Sequence, residues 1–170
     1  MITKNIVIKK NEGIKFANLS GDKNAIHVNN KIGFQSQFGE NIVHGALVLI
    51  KIFKIINIKN YKSIKVRFID FIRYDSKIRI LFKNKNIHTQ TIHILQNEQV
   101  KIIITIHNFF ANKINLSKKI TNKRSFKISK AKAKKFLDNK IDYNLKISLC
   151  YLSRYVGMEY PGKYSLINSI

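Results

Sequence analysis

Apolar and polar positions alternate along the middle of the chain. A period of two is typical of a strand with one buried face. Short polar turns separate the later segments, so the order predicts an antiparallel meander of four strands. A further candidate, Asn5 to Lys9, opens the chain as a strand or an extended arm. The four alternating segments lie at residues 63–68, 78–83, 87–95 and 100–109.

The pattern before these strands is helical. Residues 42–58 carry Ile, Leu, Val and Phe on several faces, and a helix that is apolar nearly all round is expected to be buried. A shorter helix is predicted from about Glu12, with Asn11 as its cap, and another over residues 31–37. The turn-forming residues 22–30 predict an irregular loop between them. One buried helix followed by consecutive strands indicates an α+β fold and not a βαβ series.

The charge of the chain is far from balanced. There are 32 Lys and Arg against 9 Asp and Glu, which gives a formal net charge of +23 at pH 7. Such an excess is typical of proteins that bind nucleic acid, anionic membranes or acidic partners. A genome biased towards Lys, Ile and Asn codons would also produce it. The lysines are spread along the whole chain, and this favours the second interpretation.

The sequence predicts no disulfide, bound cofactor or membrane span. Cys150 is the only cysteine, and no Cys/His cluster, P-loop or dinucleotide fingerprint occurs. The apolar stretch after Gly45 contains Lys51 and Lys54, which argues against a segment that crosses a membrane. The first residues contain no apolar run long enough for a signal peptide. We therefore expect a cytoplasmic protein.

The candidate chemistry lies in residues 16–50. His27 follows Asp22 by five positions, and His44 and Gly45 open the buried helix. An acid and a histidine that share one water can position it and move its protons. A glycine at a helix start offers an uncovered N–H group to an oxygen that gains negative charge. Each residue alone is more simply a turn, cap or structural residue, but the combination favours catalysis.

The same stretch resembles the signature of the MaoC-like hydratases and dehydratases. Their pattern reads F-A-x-L-S-x-D-x-N-P-x-H-x-D and continues as F-G-x-x-I-x-H-G-x-L. Two positions depart from it, Ala25 in place of proline and Asn29 in place of a frequent aspartate, and neither is the family's catalytic residue. The matching residues are Phe16, Ala17, Leu19, Ser20, Asp22, Asn24, His27, Phe38, Gly39, Ile42, His44, Gly45 and Leu47.

The resemblance implies the hotdog fold, in which an antiparallel sheet wraps a long central helix. It also implies (R)-specific hydration of trans-2-enoyl thioesters, or the reverse dehydration, on coenzyme A or acyl carrier protein. Asp22, His27 and Gly45 would be the catalytic residues, and Asn24, His44 and Gly45 would bind the substrate. No metal is implied, and no cofactor beyond the acyl carrier. The positive charge would suit an acidic carrier protein or the phosphates of coenzyme A.

The end of the chain holds a weak repeat of the motif. Residues 136–147 align with residues 16–27 at a constant offset, so that Asp142 meets Asp22, whereas Ile147 replaces the histidine. The second copy is therefore expected to be catalytically silent. We expect the first unit to self-associate as a homodimer or to form part of a double-hotdog assembly. The predicted parts are a MaoC-like hotdog domain (1–112), a basic linker (113–128) and a partial, degenerate second hotdog-like unit (129–170).

Three other functions compete with this interpretation. A hotdog acyl-thioesterase shares the fold but usually lacks the D-x-N-x-x-H loop. A non-catalytic subunit that binds acyl thioesters would not need Asp22 and His27 intact. A nucleic-acid binder would account for the charge, but no binding motif accompanies it, so nucleic acid is not expected as a partner.

Overall fold

Five strands form one antiparallel sheet with the spatial order β1-β3-β4-β5-β2. The structure is a computed structural model, and it describes residues 3–56, 61–85, 88–108, 128, 133, 136 and 143–159. The hotdog arrangement and the α+β class expected from the sequence are confirmed. The strands are β1 (Thr3–Val7), β2 (Tyr61–Phe68), β3 (Lys77–Lys85), β4 (Thr89–Gln96) and β5 (Gln99–Asn108).

The strand order differs in one respect from the predicted meander. Strands β3, β4 and β5 do pair in chain order, but β2 pairs with β5 and not with β3. The connection after β2 is held at this end of the sheet, because the N–H groups of Ile69 and Asp70 donate to the carbonyl of Lys101 at 2.8 and 3.1 Å. The chain then crosses to start β3, which leaves β1 and β2 as the two edges.

One buried helix lies against the sheet. Helix α4 (Gly45–Ile56) follows α1 (Lys10–Ser20), α2 (Ala25–Val28) and α3 (Asn30–Gln35). It begins three residues later than the pattern predicts, because Ile42 pairs with Arg73 as an isolated β-bridge. Next to it, the N–H group of Val43 donates to the carbonyl of Ile72 at 2.8 Å. This extended stretch precedes the helix and aims its first turn into the interior.

The core lies between α4 and the inner face of the sheet. The sequence pattern predicts a core of Ile42, Leu47, Leu49, Ile50, Phe53, Ile64, Val66, Phe68, Ile78, Ile80, Ile102 and Ile104. All of these are buried, except Ile64 and Phe68, which are partly buried and pack against the core. Helix α4 supplies side chains from nearly all its faces, as expected for a helix wrapped by a sheet. Its buried members are Ala46, Leu47, Val48, Leu49, Ile50, Ile52 and Phe53.

A C-terminal helix packs on the same unit. Helix α5 (Tyr143–Arg154) continues into a π-helical turn (Tyr155–Glu159), and it contacts both α1 and α4. Leu149 and Cys150 are buried and belong to the core cluster, and burial raises the pKa of the Cys150 thiol to about 12. Asp142 and the predicted linker, apart from its last residue, Ile128, lie outside the described residues. The division of the chain into two units stays a prediction.

No helix among the described residues is long and apolar enough to span a bilayer.

Replacement of Leu47 by alanine should test the wrapped helix. The side chain is 0% exposed, so its loss removes apolar burial and leaves a cavity. We expect the free energy of unfolding to fall by about 2–5 kcal/mol. Ile14 of α1 is 42% exposed, so Ile14→Ala is the matched control and should lower the free energy of unfolding much less. A loss below about 0.5 kcal/mol for Leu47→Ala would contradict the burial of α4.

Candidate active site

The loop after α1 places the acid and the histidine. Gly21, at φ 78°, ends α1, and its N–H group donates to the carbonyl of Ala17 at 2.9 Å. The Oδ1 atom of Asp22 then accepts from the N–H group of Asn24 at 3.2 Å. The Asn24 side chain accepts in turn from the N–H group of Ile26 at 3.3 Å and caps α2. Two successive short-range hydrogen bonds thus set the path of the loop.

The hydrogen bond of His27 determines its tautomer. Its Nδ1 atom lies 2.8 Å from the carbonyl oxygen of Ile42, which can only accept, so Nδ1 must carry the hydrogen. Burial lowers the pKa of His27, although the nearby Asp22 carboxylate and the bond to Ile42 oppose this, while the charge of Lys10 adds to it. The ring is therefore neutral near pH 7, and Nε2 offers a lone pair that can take a proton.

His44 fastens the loop to the start of α4. Its Nε2 atom lies 3.1 Å from the backbone carbonyl of Asp22, and its Nδ1 atom lies 3.4 Å from the hydroxyl of Tyr74. The ring stacks on His27 with centroids 3.9 Å apart and an angle of 28° between the planes. Burial, and after it the neighbouring His27, hold the pKa of His44 well below its usual range. Both imidazoles are thus held neutral.

Helix α4 presents its first turn to the same place. The carbonyl of His44 accepts from the N–H group of Val48 at 3.1 Å, so Gly45 is the first helical residue. Among the described residues, the N–H group of Gly45 donates to no other group. A Cβ atom on Gly45 would lie 2.9 Å from the Phe68 ring, so the ring occupies the space that a side chain would need.

Asp22, His27 and Gly45 line one cavity of about 200 Å³. The three residues expected to be catalytic are therefore brought together. Asn24 and His44 are buried behind the cavity and are absent from its lining, so the structure does not place them against a substrate. Most of the remaining wall is apolar and comes from the loop between α3 and α4, from α4, from the end of β2 with the segment after it, and from the C-terminal helix with its π-helical turn. Its members include Phe38, Val43, Ala46, Phe68, Phe71, Ile72 and Val156.

The C-terminal residues of this wall were not singled out from the sequence. The Oγ atom of Ser153 donates to Asp22 Oδ2 at 2.6 Å, and Gly157 packs against the same carboxylate. The repeat that was recognised in this part of the chain aligns other residues with the acid. The one available signal was the pair of small residues four positions apart, which places both on one helix face.

The two histidines and the acid form a compact cluster, and metal binding must be weighed. One ligand atom from each of Asp22, His27 and His44 lies within 4.8 Å of the others. Both ring nitrogens of His44 are already engaged, and so is Nδ1 of His27. Only the Asp22 carboxylate and Nε2 of His27 remain available as ligands. The cluster is better suited to holding a water than to enclosing a metal ion.

The neutral imidazoles should make stability depend on pH. Both pKa values lie below the usual value of about 6.5, so below that pH the unfolded chain binds protons that the native state does not. The free energy of unfolding should therefore fall between pH 6.5 and 5, by as much as about 1.4 kcal/mol per pH unit for each histidine. Chemical denaturation across this range measures the slope.

Replacement of one buried histidine distinguishes its contribution to the pH dependence of stability from that of other titrating groups. His44→Gln should make the slope shallower, because it removes one of the two buried rings. The range stays above the titration of most carboxylates. A flat profile in the unsubstituted protein would contradict the neutral buried pair.

Comparisons with known proteins gave a family match and several matches of fold. The sequence profile of the MaoC like domain matches residues 2–103, which is more than half of the chain. A comparison with curated proteins gave no significant match. Among solved structures, an (R)-hydratase from A. caviae involved in PHA biosynthesis has a TM-score of 0.53 at 16% identity, and the match covers 62% of this chain and 89% of that one.

A second hydratase and a dehydratase have a similar fold. R-hydratase PhaJ1 from Pseudomonas aeruginosa has a TM-score of 0.51 at 16% identity, over 69% of this chain and 90% of that one. A MaoC-like dehydratase from Phytophthora capsici has a TM-score of 0.50 at 18% identity, over 64% and 40% of the two chains. At these identities the structures show a shared fold. Together with the profile match, they establish that the chain belongs to the MaoC-like domain family of hydratases and dehydratases.

Proposed function

We propose that the protein interconverts trans-2-enoyl and (R)-3-hydroxyacyl thioesters by adding or removing water. One observation carries this proposal: an acid, a histidine whose Nδ1 atom is bound to a backbone carbonyl, and the glycine that begins a buried helix line one largely apolar cavity. The acid is Asp22, the histidine is His27 and the glycine is Gly45. Family membership supports hydratase or dehydratase chemistry in general.

Asp22 and His27 would hold the reacting water between them. Each oxygen of the carboxylate accepts one hydrogen bond from the protein and retains capacity for another. A water that donates to this carboxylate and to Nε2 of His27 has its own lone pair free to attack the β-carbon. As the C–O bond forms, Nε2 takes the proton of the water and can return a proton to the α-carbon. The reverse order of steps is dehydration.

Gly45 would stabilise the thioester oxygen. This oxygen gains negative charge as the α-carbon acquires carbanion character. The N–H group at the start of α4 has no partner in the helix and lies at the positive end of its dipole. One such donor typically contributes about 3 kcal/mol to transition-state stabilisation. The apolar wall around it would exclude bulk water and accept the acyl chain.

The carrier is proposed to be coenzyme A or acyl carrier protein. Both present negative charge, and a chain of net charge +23 would attract either over a distance. An acyl-thioesterase would need its water directed at the carbonyl carbon and not at the β-carbon. A non-catalytic acyl-binding subunit would have no need for a free, neutral Nε2. The cytoplasmic location expected from the sequence stays a prediction.

Replacement of either member of the pair should abolish most of the activity. Asp22→Asn and His27→Ala should each lower the hydration of crotonyl-coenzyme A at least about 100-fold, read as loss of enoyl-thioester absorbance. The losses should not multiply in the double variant, because the two residues act on one water. Asp75→Asn and His93→Ala, both outside the cavity lining, are the matched controls. Near-normal turnover in either single variant would exclude the assignment.

The two free sheet edges support self-association. Among the residues that the structure describes, strands β1 and β2 each have a neighbouring strand on one side only, and such edges invite pairing. We therefore propose a homodimer. Analytical ultracentrifugation at micromolar concentrations should show a dimer of the 19.8 kDa chain. A monomer throughout this range would contradict the proposal without affecting the assignment of Asp22 and His27.

A further inference from the structure

The C-terminal helix joins the site at its acid. Ser153 Oγ donates to Asp22 Oδ2 at 2.6 Å, and the two residues are 5% and 3% exposed. We propose that Ser153 is a positioning residue for Asp22, and that α5 with its π-helical turn is a component of the active site. The inference rests on the proposed function, since it assigns Ser153 a part in the same reaction.

The hydrogen bond from Ser153 completes the support of the carboxylate. The other oxygen of Asp22, Oδ1, accepts a 3.2 Å bond from the N–H group of Asn24, which belongs to the same loop. The bond from Ser153 is shorter and comes from a different element, 131 positions away in sequence. Hydrogen bonds to ionised groups are among the strong ones. With both in place, the plane of the carboxylate and its remaining lone pairs have one orientation towards the water.

Gly157 shows that this contact is close-packed. A Cβ atom there would lie 2.3 Å from Oδ1 and 2.7 Å from Cγ of Asp22. Asp22 is buried, so its side chain cannot turn into solvent to relieve this clash. Ser153 and Gly157 are four positions apart, so they share one helix face. The π-helical turn Tyr155–Glu159 contains Gly157, and such turns occur frequently at functional sites. The face has a hydrogen-bond donor at one position and no side chain at the other, where the Asp22 carboxylate packs.

The shape of the cavity indicates whether α5 completes the active site or blocks it. Ser153, Val156 and Gly157 line it together with His27 and Gly45, so the space beside the catalytic pair persists while α5 is in place. A helix that only blocked the site would fill this space. The geometry therefore favours a helix α5 that stays packed against the site during turnover. The opposite possibility, that α5 inhibits the enzyme, gives a different result in the test.

The test compares two serines of the same helix. Ser153→Ala should lower kcat for crotonyl-coenzyme A about tenfold or more with little change in KM, because the substrate still binds but the acid is misplaced. Ser148→Ala, on the exposed face of α5, should leave both constants unchanged. Ser153→Thr keeps the hydroxyl and should recover most of the lost rate. Gly157→Ala should also lower kcat.

Coupling to the acid separates a positioning role from a structural one. In an Asp22→Asn background, Ser153→Ala should cause no further loss of rate, because its effect acts through the carboxylate. Full multiplication of the two losses would overturn the proposal. An unchanged kcat in Ser153→Ala would overturn it as well. A raised kcat would identify α5 as an inhibitory element instead.

A stability cycle measures the contact without any assay of activity. Chemical denaturation of Asp22→Ala, Ser153→Ala and the double variant should show a coupling of about fivefold or more in the unfolding equilibrium constant. If the unsubstituted protein hydrates no enoyl thioester, the proposed function fails and the positioning role of Ser153 in that reaction fails with it, whatever the coupling. If that protein is active and the cycle shows no coupling, only the inference fails.

Discussion

The stacking of His27 on His44 is the interaction on which the site depends. Each ring is also bound to the backbone of the other's segment: His27 to the carbonyl of Ile42, just before α4, and His44 to the carbonyl of Asp22, in the loop. The attachment is reciprocal. The loop and the helix start therefore cannot move apart without the loss of both bonds and the stack. The acid, the base and the helix N–H group keep their relative positions because these hydrogen bonds join the backbone of the loop to the backbone before α4.

This arrangement requires both rings to be uncharged, and the surroundings enforce that. Burial is the largest cause of the lowered pKa of each ring, and the charge of Lys10 contributes in the same direction. Lys10 lies 5.3 Å above the Tyr74 ring and binds the side chains of Asn30 and Asn41. Lys10 is thus one positive charge of the excess whose effect, a lower pKa of both imidazoles, does not depend on any partner.

Much of the fold follows from patterns that extend over a few residues. The period of two located the strands because one face of each strand is buried, and the apolar composition of α4 predicted its burial. The helix start was placed too early, because the pairing of Ile42 and Val43 with residues 72–73 is a tertiary contact without a local signal. The predicted meander was wrong in placing β2 beside β3, because the pairing of β2 with β5 is also a tertiary contact without a local signal.

The site was predictable only where its members are close in sequence. Asp22, His27 and Gly45 lie within one motif, and their shared cavity agrees with its spacing. The supporting role of His44 depends on a ring nitrogen that reaches a backbone carbonyl, which no spacing rule encodes. Ser153 could not be linked to the acid from the sequence, because its partner is 131 positions away.

The contact between Gly45 and the Phe68 ring has an evolutionary consequence. The ring lies 2.9 Å from where a Cβ atom would stand and also lines the cavity, so one side chain both excludes a residue at the helix start and bounds the space for substrate. A smaller residue at position 68 would release both constraints at once. Relatives with a wider cavity are therefore expected to tolerate alanine or serine at position 45. Substrate range and the identity of the helix's first residue should then vary together across the family.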